Sequence, residues 1–240
     1  MKYIKYINIL ALAAVLYVNY LANAQPINGL TTADVSNMYP SLFTPAGITF
    51  SIWGVIYLFL IAFVFFAAAK EYSNDNYINT LFLLTCLCNM AWIFAWHHLR
   101  LGLSVVIMLT FLILLIAIFR KLPEAGGKEF WLVRVPFSIY LAWICVATVA
   151  NVSALLLDIG LNPSYGGIIT AIMIIVLLSV LYMVQRQQRN WPFSLVVIWA
   201  LSGIIIARSW DQHAIIIITA AAGILFAVLS TVKGRITPAG

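Results

Sequence analysis

Three stretches of this chain set aromatic side chains and an amide on one face of an apolar helix. Trp53 and Tyr57 lie one turn apart. Asn89, Trp92 and Trp96 stand at i, i+3 and i+7, and Tyr140, Trp143, Ala147 and Asn151 at i, i+3, i+7 and i+11. With about 3.6 residues per turn, each set falls on a single helix face. These residue types suit recognition better than bond making. Aromatic faces stack offset on flat apolar molecules. An asparagine in an apolar run needs a partner, because an unsatisfied amide there costs several kcal/mol. Asn89 and Asn151 are therefore expected to face other helices or a cavity. Aromatic walls with a few polar groups are the general make-up of a small-molecule site; interhelical hydrogen bonding with no ligand is the plainer alternative. A turn, Pro45-Ala46-Gly47, leads into the Trp53 helix, so Phe43, Pro45 and Gly47 are candidates for a lid over such a site.

Other chemistries find little support. His97 and His98 are adjacent and do not share a helix face, which suits interfacial histidines better than a metal pair. His213 stands alone, and Cys86, Cys88 and Cys145 lie inside apolar runs as packing residues rather than a disulfide framework. No span holds a central lysine for a Schiff base, and no phosphate loop, nucleophile elbow or His-Glu-x-x-His is present. No catalytic or metal-ligating residue is nominated, and the chain is not expected to be an enzyme. Arg208 and Asp211, at i and i+3, could pair, and with Asp158 they are the best support for a small secondary transporter.

The elements that would position these faces are membrane helices. The chain is 64% hydrophobic and 8% charged, against about 25% charged in soluble domains. Its apolar residues come in runs long enough to span a bilayer as helices. Eight spans are expected, at 5–24, 47–69, 78–98, 100–120, 130–156, 166–185, 192–208 and 213–232. The first could also be a cleaved signal; a retained helix is favoured, since Tyr17, Asn19 and Tyr20 make it polar for a signal core. Residues 25–46 show no helical period and read as a polar loop, and Pro136 is expected to bend the fifth span. Trp131, Trp191 and Trp210 lie at span ends as interfacial anchors.

With eight spans, Lys2, Lys5, Lys70, Arg120, Lys121, Lys128, Arg134, Arg186, Arg189, Lys233 and Arg235 fall on one side, eleven of the 13 basic residues; Arg100 and Arg208 fall on the other. The positive-inside rule then places both termini in the cytoplasm of a multi-pass cell-membrane protein. The +6 net charge is thus a matter of orientation, and no nucleic-acid partner is expected.

The three faces resemble those of the tryptophan-rich sensory protein family, also called TspO or translocator protein (peripheral benzodiazepine receptor). Members carry a Trp-x-Pro-Pro loop, then Gly-Pro-Val-Trp-x-x-Leu-Tyr, Leu-Asn-x-x-Trp, and Pro-Tyr-Leu-x-Trp with an asparagine eight residues on. Here Trp53-Gly54-Val55-Ile56-Tyr57, Asn89-Met90-Ala91-Trp92 and Tyr140-Leu141-Ala142-Trp143 with Asn151 keep those spacings. Phe43-Thr44-Pro45-Ala46 replaces the loop motif, Phe50-Ser51 the Gly-Pro, and Ile139 the proline before the tyrosine. The resemblance covers about residues 1–157 and implies five membrane helices; with the apolar runs counted above, the expected fold is an all-α bundle of about eight transmembrane helices. Residues 1–160 would be a TspO-like five-helix domain and 161–240 a three-helix extension. It also implies a pocket for porphyrins or other flat hydrophobic ligands, capped by the first loop, with a sensory, regulatory or transport role. Trp53, Asn89, Trp92, Trp143 and Asn151 carry over as pocket residues, joined by Tyr57 from its place on the Trp53 face. No cofactor is expected, a tetrapyrrole entering only as ligand. The expected partners are the lipid bilayer, a hydrophobic small molecule and, as an open alternative, a second copy in a homodimer.

Overall fold

The computed structural model describes residues 3–69, 76–122, 126–187 and 189–233, apart from the side chains of Pro163 and Lys233. Lys2, Lys70, Pro123 and Arg235 lie outside the described residues. Among those described there is helix and no strand. The long helices are α1 (Ile4–Ala24), α3 (Ile52–Ala69), α4 (Asn76–His97), α5 (Leu101–Lys121), α7 (Val135–Asp158), α8 (Gly166–Gln187), α9 (Trp191–Ile206) and α10 (Trp210–Lys233). Two short ones are α2 (Thr32–Met38) and a single turn, α6 (Gly127–Glu129). Among the described residues, seven helices are long and apolar enough to cross a membrane. The exception is α9, at 16 residues about 24 Å long against a hydrocarbon core of about 30 Å. Its final turn meets the chain between Pro45 and Thr49 instead of continuing.

Side-chain contacts fix the directions. Asn8 Nδ2 donates to Asn79 Oδ1 at 3.0 Å and Asn19 Nδ2 to Asn89 Oδ1 at 2.9 Å, so α1 and α4 run parallel. Lys5 Nζ reaches the Ala68 carbonyl, so α3 returns antiparallel to α1. Ser104 bonds Asn151 while Phe111 meets Tyr140, which makes α5 and α7 antiparallel. Gln185 and Thr231 both bond Ser194, tying α8, α9 and α10 at the end of the bundle that holds Lys5. The segment 25–51 and the short connections after α4, α7 and α9 gather at the opposite end.

The centre of the bundle is α7. Every residue from Val133 to Val146 is buried, against neighbours that include α3, α5 and α9. A helix apolar all round belongs in such a place. The outer helices leave large apolar side chains such as Leu58, Ile113, Ile172 and Leu225 exposed; this is the surface that meets lipid. Trp131, Trp191 and Trp210 are at helix ends and partly exposed, with Trp131 and Trp191 in edge contact. Before α7 the chain makes a π-helical turn, Phe130–Arg134. Pro136 cannot donate to the carbonyl four residues back, and the widened turn absorbs that mismatch.

The 25–46 segment departs from the expected featureless loop. It contains α2, started by a capping box: the Asp34 amide donates to Thr31 Oγ1 at 3.1 Å and the Thr31 amide to Asp34 Oδ2 at 2.8 Å. The helix was missed because it is only two turns long, too short for a period to register. It sits over the end of α4. The fully buried His97 meets Thr32 Oγ1 through Nε2 at 3.3 Å and its own Ile93 carbonyl through Nδ1, and its carbonyl accepts from Asn28. His97 is therefore an anchor beneath α2 at the end of α4, while His98 is exposed.

Candidate ligand-binding site

Between α1, α2, α3, α4 and α7, at the loop end of the bundle, lies a cavity of about 880 Å³. Its aromatic walls are the sequence faces described above. Trp53 and Tyr57 come from α3, Trp92 and Trp96 from α4, and Trp143 and Asn151 from α7. Trp53 stacks on Tyr57 with centroids 5.5 Å apart, and Trp92 on Trp96 at 5.8 Å, both at 23°. Trp143 takes Trp53 edge-on at 6.2 Å and Phe50 at 5.9 Å. Each ring is thus held by another, leaving faces of fixed orientation. Room for a ligand comes from α7, which lines the cavity beside Trp143 with Ala147, Ala150 and Ala154. These alanines continue the Trp143 face at helical spacing; the sequence reading noted Ala147 and overlooked the other two.

Polar groups divide into committed and free. Asn151 Oδ1 accepts the Trp92 indole N–H at 3.0 Å, and its amide donates to Ser104 Oγ at 2.9 Å. It fixes the Trp92 ring and closes off α5. Asn89 is buried and does not line the cavity. It accepts from Asn19 and donates to Tyr140 Oη at 3.4 Å, so it serves as an interhelical tie behind the wall. The Tyr57 hydroxyl sits beside Asn89 but completes no hydrogen bond, and neither does the Trp143 indole N–H. A buried donor without a partner forfeits about 1–3 kcal/mol.

The lid is the segment from Ser41 to Ser51. Pro45 and Gly47 line the cavity with Thr44 and Phe50. Phe43 is fully buried and absent from the lining, so it anchors the lid in the core instead of facing the cavity. What holds the lid is α9, from the C-terminal three helices. The Ala46 amide donates to the Gly203 carbonyl at 3.0 Å, and the Trp199 indole to the Thr49 carbonyl at 2.8 Å. Arg208, just past α9, donates to three lid carbonyls: Leu42 at 3.0 Å, Ser41 at 3.2 Å and Thr44 at 2.7 Å. Half-burial pulls its pKa below the ordinary arginine value, but a guanidinium stays charged in proteins. Arg208 thus spends its donors on the lid, not on Asp211, which is exposed. The roles of Arg208, Trp199 and Gly203 were not foreseen, since they join residues about 150 or more apart with no local pattern.

The cavity mouth is polar. Asn19, Tyr20 and Asn23 of α1, Thr32, Ser36 and Asn37 of α2, and Tyr39 form it, none of them a nominated site residue. Tyr39 faces Asp158; burial first, and that carboxylate second, raise its pKa. Among the described residues no group of three or more His, Cys, Asp or Glu is placed to hold a metal ion.

A protein-family model described as TSPO-like protein matches residues 5–233, a span that takes in the last three helices as well as the first five. No curated protein and no solved structure matches.

Proposed function

The chain belongs to the TSPO-like protein family, and we propose that it binds a flat hydrophobic ligand of porphyrin shape in the cavity beneath the 41–51 lid. The observation that carries this reading is the meeting of Trp53, Tyr57, Trp92 and Trp143 around one cavity of about 880 Å³, within the ordinary range of small-molecule sites. Binding, not catalysis, is the role this lining supports: its polar groups are amides, hydroxyls and indoles, with no clustered acid and base. Opening and closing of this lid is the change that occupancy would bias in a sensory or regulatory membrane protein. The distribution of basic residues supports cytoplasmic termini and a cavity opening on the outer side of the cell membrane.

The test is titration of the purified full-length protein with porphyrins, followed by tryptophan emission. Saturable quenching is expected, weakened in the Trp53→Ala, Trp143→Ala double variant and in Ala147→Phe, which fills the cavity without removing an indole. Absence of saturable quenching, or quenching indifferent to both variants, would remove the cavity as the site.

A further inference from the structure

The charge of the ligand follows from what the cavity lacks. No lysine, arginine, histidine, aspartate or glutamate is among its 26 lining residues. Arg208 stands close to the lid and is occupied by the carbonyls of Leu42, Ser41, Thr44 and its neighbour Ala207. Two further charges on the elements at the rim are negative, Asp34 of α2 and Asp158 opposite Tyr39. A carboxylate drawn into such a space loses its water and gains no cation, which is strongly unfavourable.

Polar and apolar lining are also segregated. Helices α3, α4 and α7 supply indoles, Tyr57 and small aliphatic residues, and Asn151, the amide among them, is already bonded to Trp92 and Ser104. Hydroxyls and amides come from the last turns of α1, from α2 and from the lid. There the side chains of Ser36, Asn37 and Thr44 bond no protein group, while Asn19 and Thr32 are engaged with Asn89 and His97.

Resting on the binding reading above, we propose that the cavity selects an uncharged, flat amphiphile. Its hydroxyl, carbonyl or amide head meets Ser36, Asn37 and Thr44 at the mouth. Its apolar body lies between Trp53, Trp92 and Trp143. Anionic macrocycles of the same shape are poor ligands because the rim offers hydrogen bonds and no counter-charge.

A porphyrin dicarboxylic acid and its dimethyl ester, which share one ring system, provide the test. Both are titrated at pH 8 into the full-length protein in one detergent, with tryptophan quenching as readout. The ester is expected to bind at least about tenfold more tightly. Asn37→Arg, which places a cation at the rim, should shift the acid-to-ester affinity ratio toward the acid by about tenfold. Comparing that ratio between variants cancels the two ligands' different partition into detergent. Equal or tighter binding of the acid by the native protein overturns the proposal, and so does a ratio that Asn37→Arg leaves unmoved. Failure of both ligands to quench saturably overturns the underlying binding reading instead.

Discussion

Gly203→Ala is the smallest change that sets lid attachment against helix propensity. Inside an exposed helix, alanine in place of glycine stabilises by about 1 kcal/mol. At position 203 a Cβ would overlap Thr49 Oγ1 and stand 2.9 Å from both Pro45 Cβ and Thr49 Cβ. Carbon atoms rest at about 3.5–4.0 Å, so α9 and the lid must separate by roughly 1 Å. That movement stretches the Ala46-to-Gly203 hydrogen bond from 3.0 Å and strains the Trp199-to-Thr49 bond of 2.8 Å. Overpacking costs about 1–3 kcal/mol and each lost hydrogen bond about 1 kcal/mol. The propensity gain is the same with the lid open or closed and drops out of this balance; about 1 kcal/mol of overpacking and one lost hydrogen bond weaken the closed lid by about 2 kcal/mol, a factor of about 30 in the open-to-closed ratio. Ser41→Cys supplies a reporter: Ser41 is buried in the lid, so maleimide reaches it mainly when the lid opens. Labelling above the native-cysteine background should speed up by about 30-fold in Gly203→Ala. Adding Thr49→Ala removes the worst overlap and should restore part of the protection. If Gly203→Ala labels no faster, or is more resistant to unfolding, α9 does not hold the lid as described.

Three further outcomes follow from the same contacts. Arg208→Met keeps the length of the side chain but removes every donor to the Leu42, Ser41 and Thr44 carbonyls; it should raise Ser41→Cys labelling at least as much as Gly203→Ala, while Asp211→Asn, at an exposed residue, leaves it unchanged. Asn151→Leu strands the Trp92 indole, while Ser104 keeps its bond to the Leu101 carbonyl; it should cost about 1–3 kcal/mol in denaturant unfolding, with a shift in tryptophan emission as the Trp92 ring loses its tie. The Thr31 hydroxyl, and then its amide, hold the Asp34 pKa below 3.8. This group's folded pKa is depressed, so its support of α2 is complete above 3.8 and is lost as pH falls through the folded value. Hydrogen-exchange protection at the start of α2 should therefore be flat from pH 7 to 5 and fall at lower pH, and Thr31→Val should abolish that acid step.

Which parts of this site can be read from the chain depends on how far apart the interacting residues lie. A helix face is a local property: spacings of three, four and seven residues place side chains together whatever the rest of the protein does. Hence Trp53, Tyr57, Trp92, Trp143 and Asn151 could be assigned to common faces, and all five border the cavity. The same rule could not tell wall from support. Asn89 shares the Trp92 face but is drawn to Asn19 of α1, seventy positions away, and Phe43 is drawn into the core. The cavity is empty space left by small residues, so Ala150 and Ala154 carry no signal that distinguishes them from ordinary packing. The lid attachment is the least legible part. Arg208 reads in sequence as half of a local pair with Asp211, because an i, i+3 partner is the only one a sequence displays. In the fold its donors go to backbone carbonyls more than 160 residues earlier, and a carbonyl has no residue identity to leave in the sequence. This contact also bears on the division of the chain. The aromatic walls come from the first five long helices, but the lid over them is fastened by the last three. Removing α8–α10 should therefore leave the tryptophans on their helices and the lid without its hold.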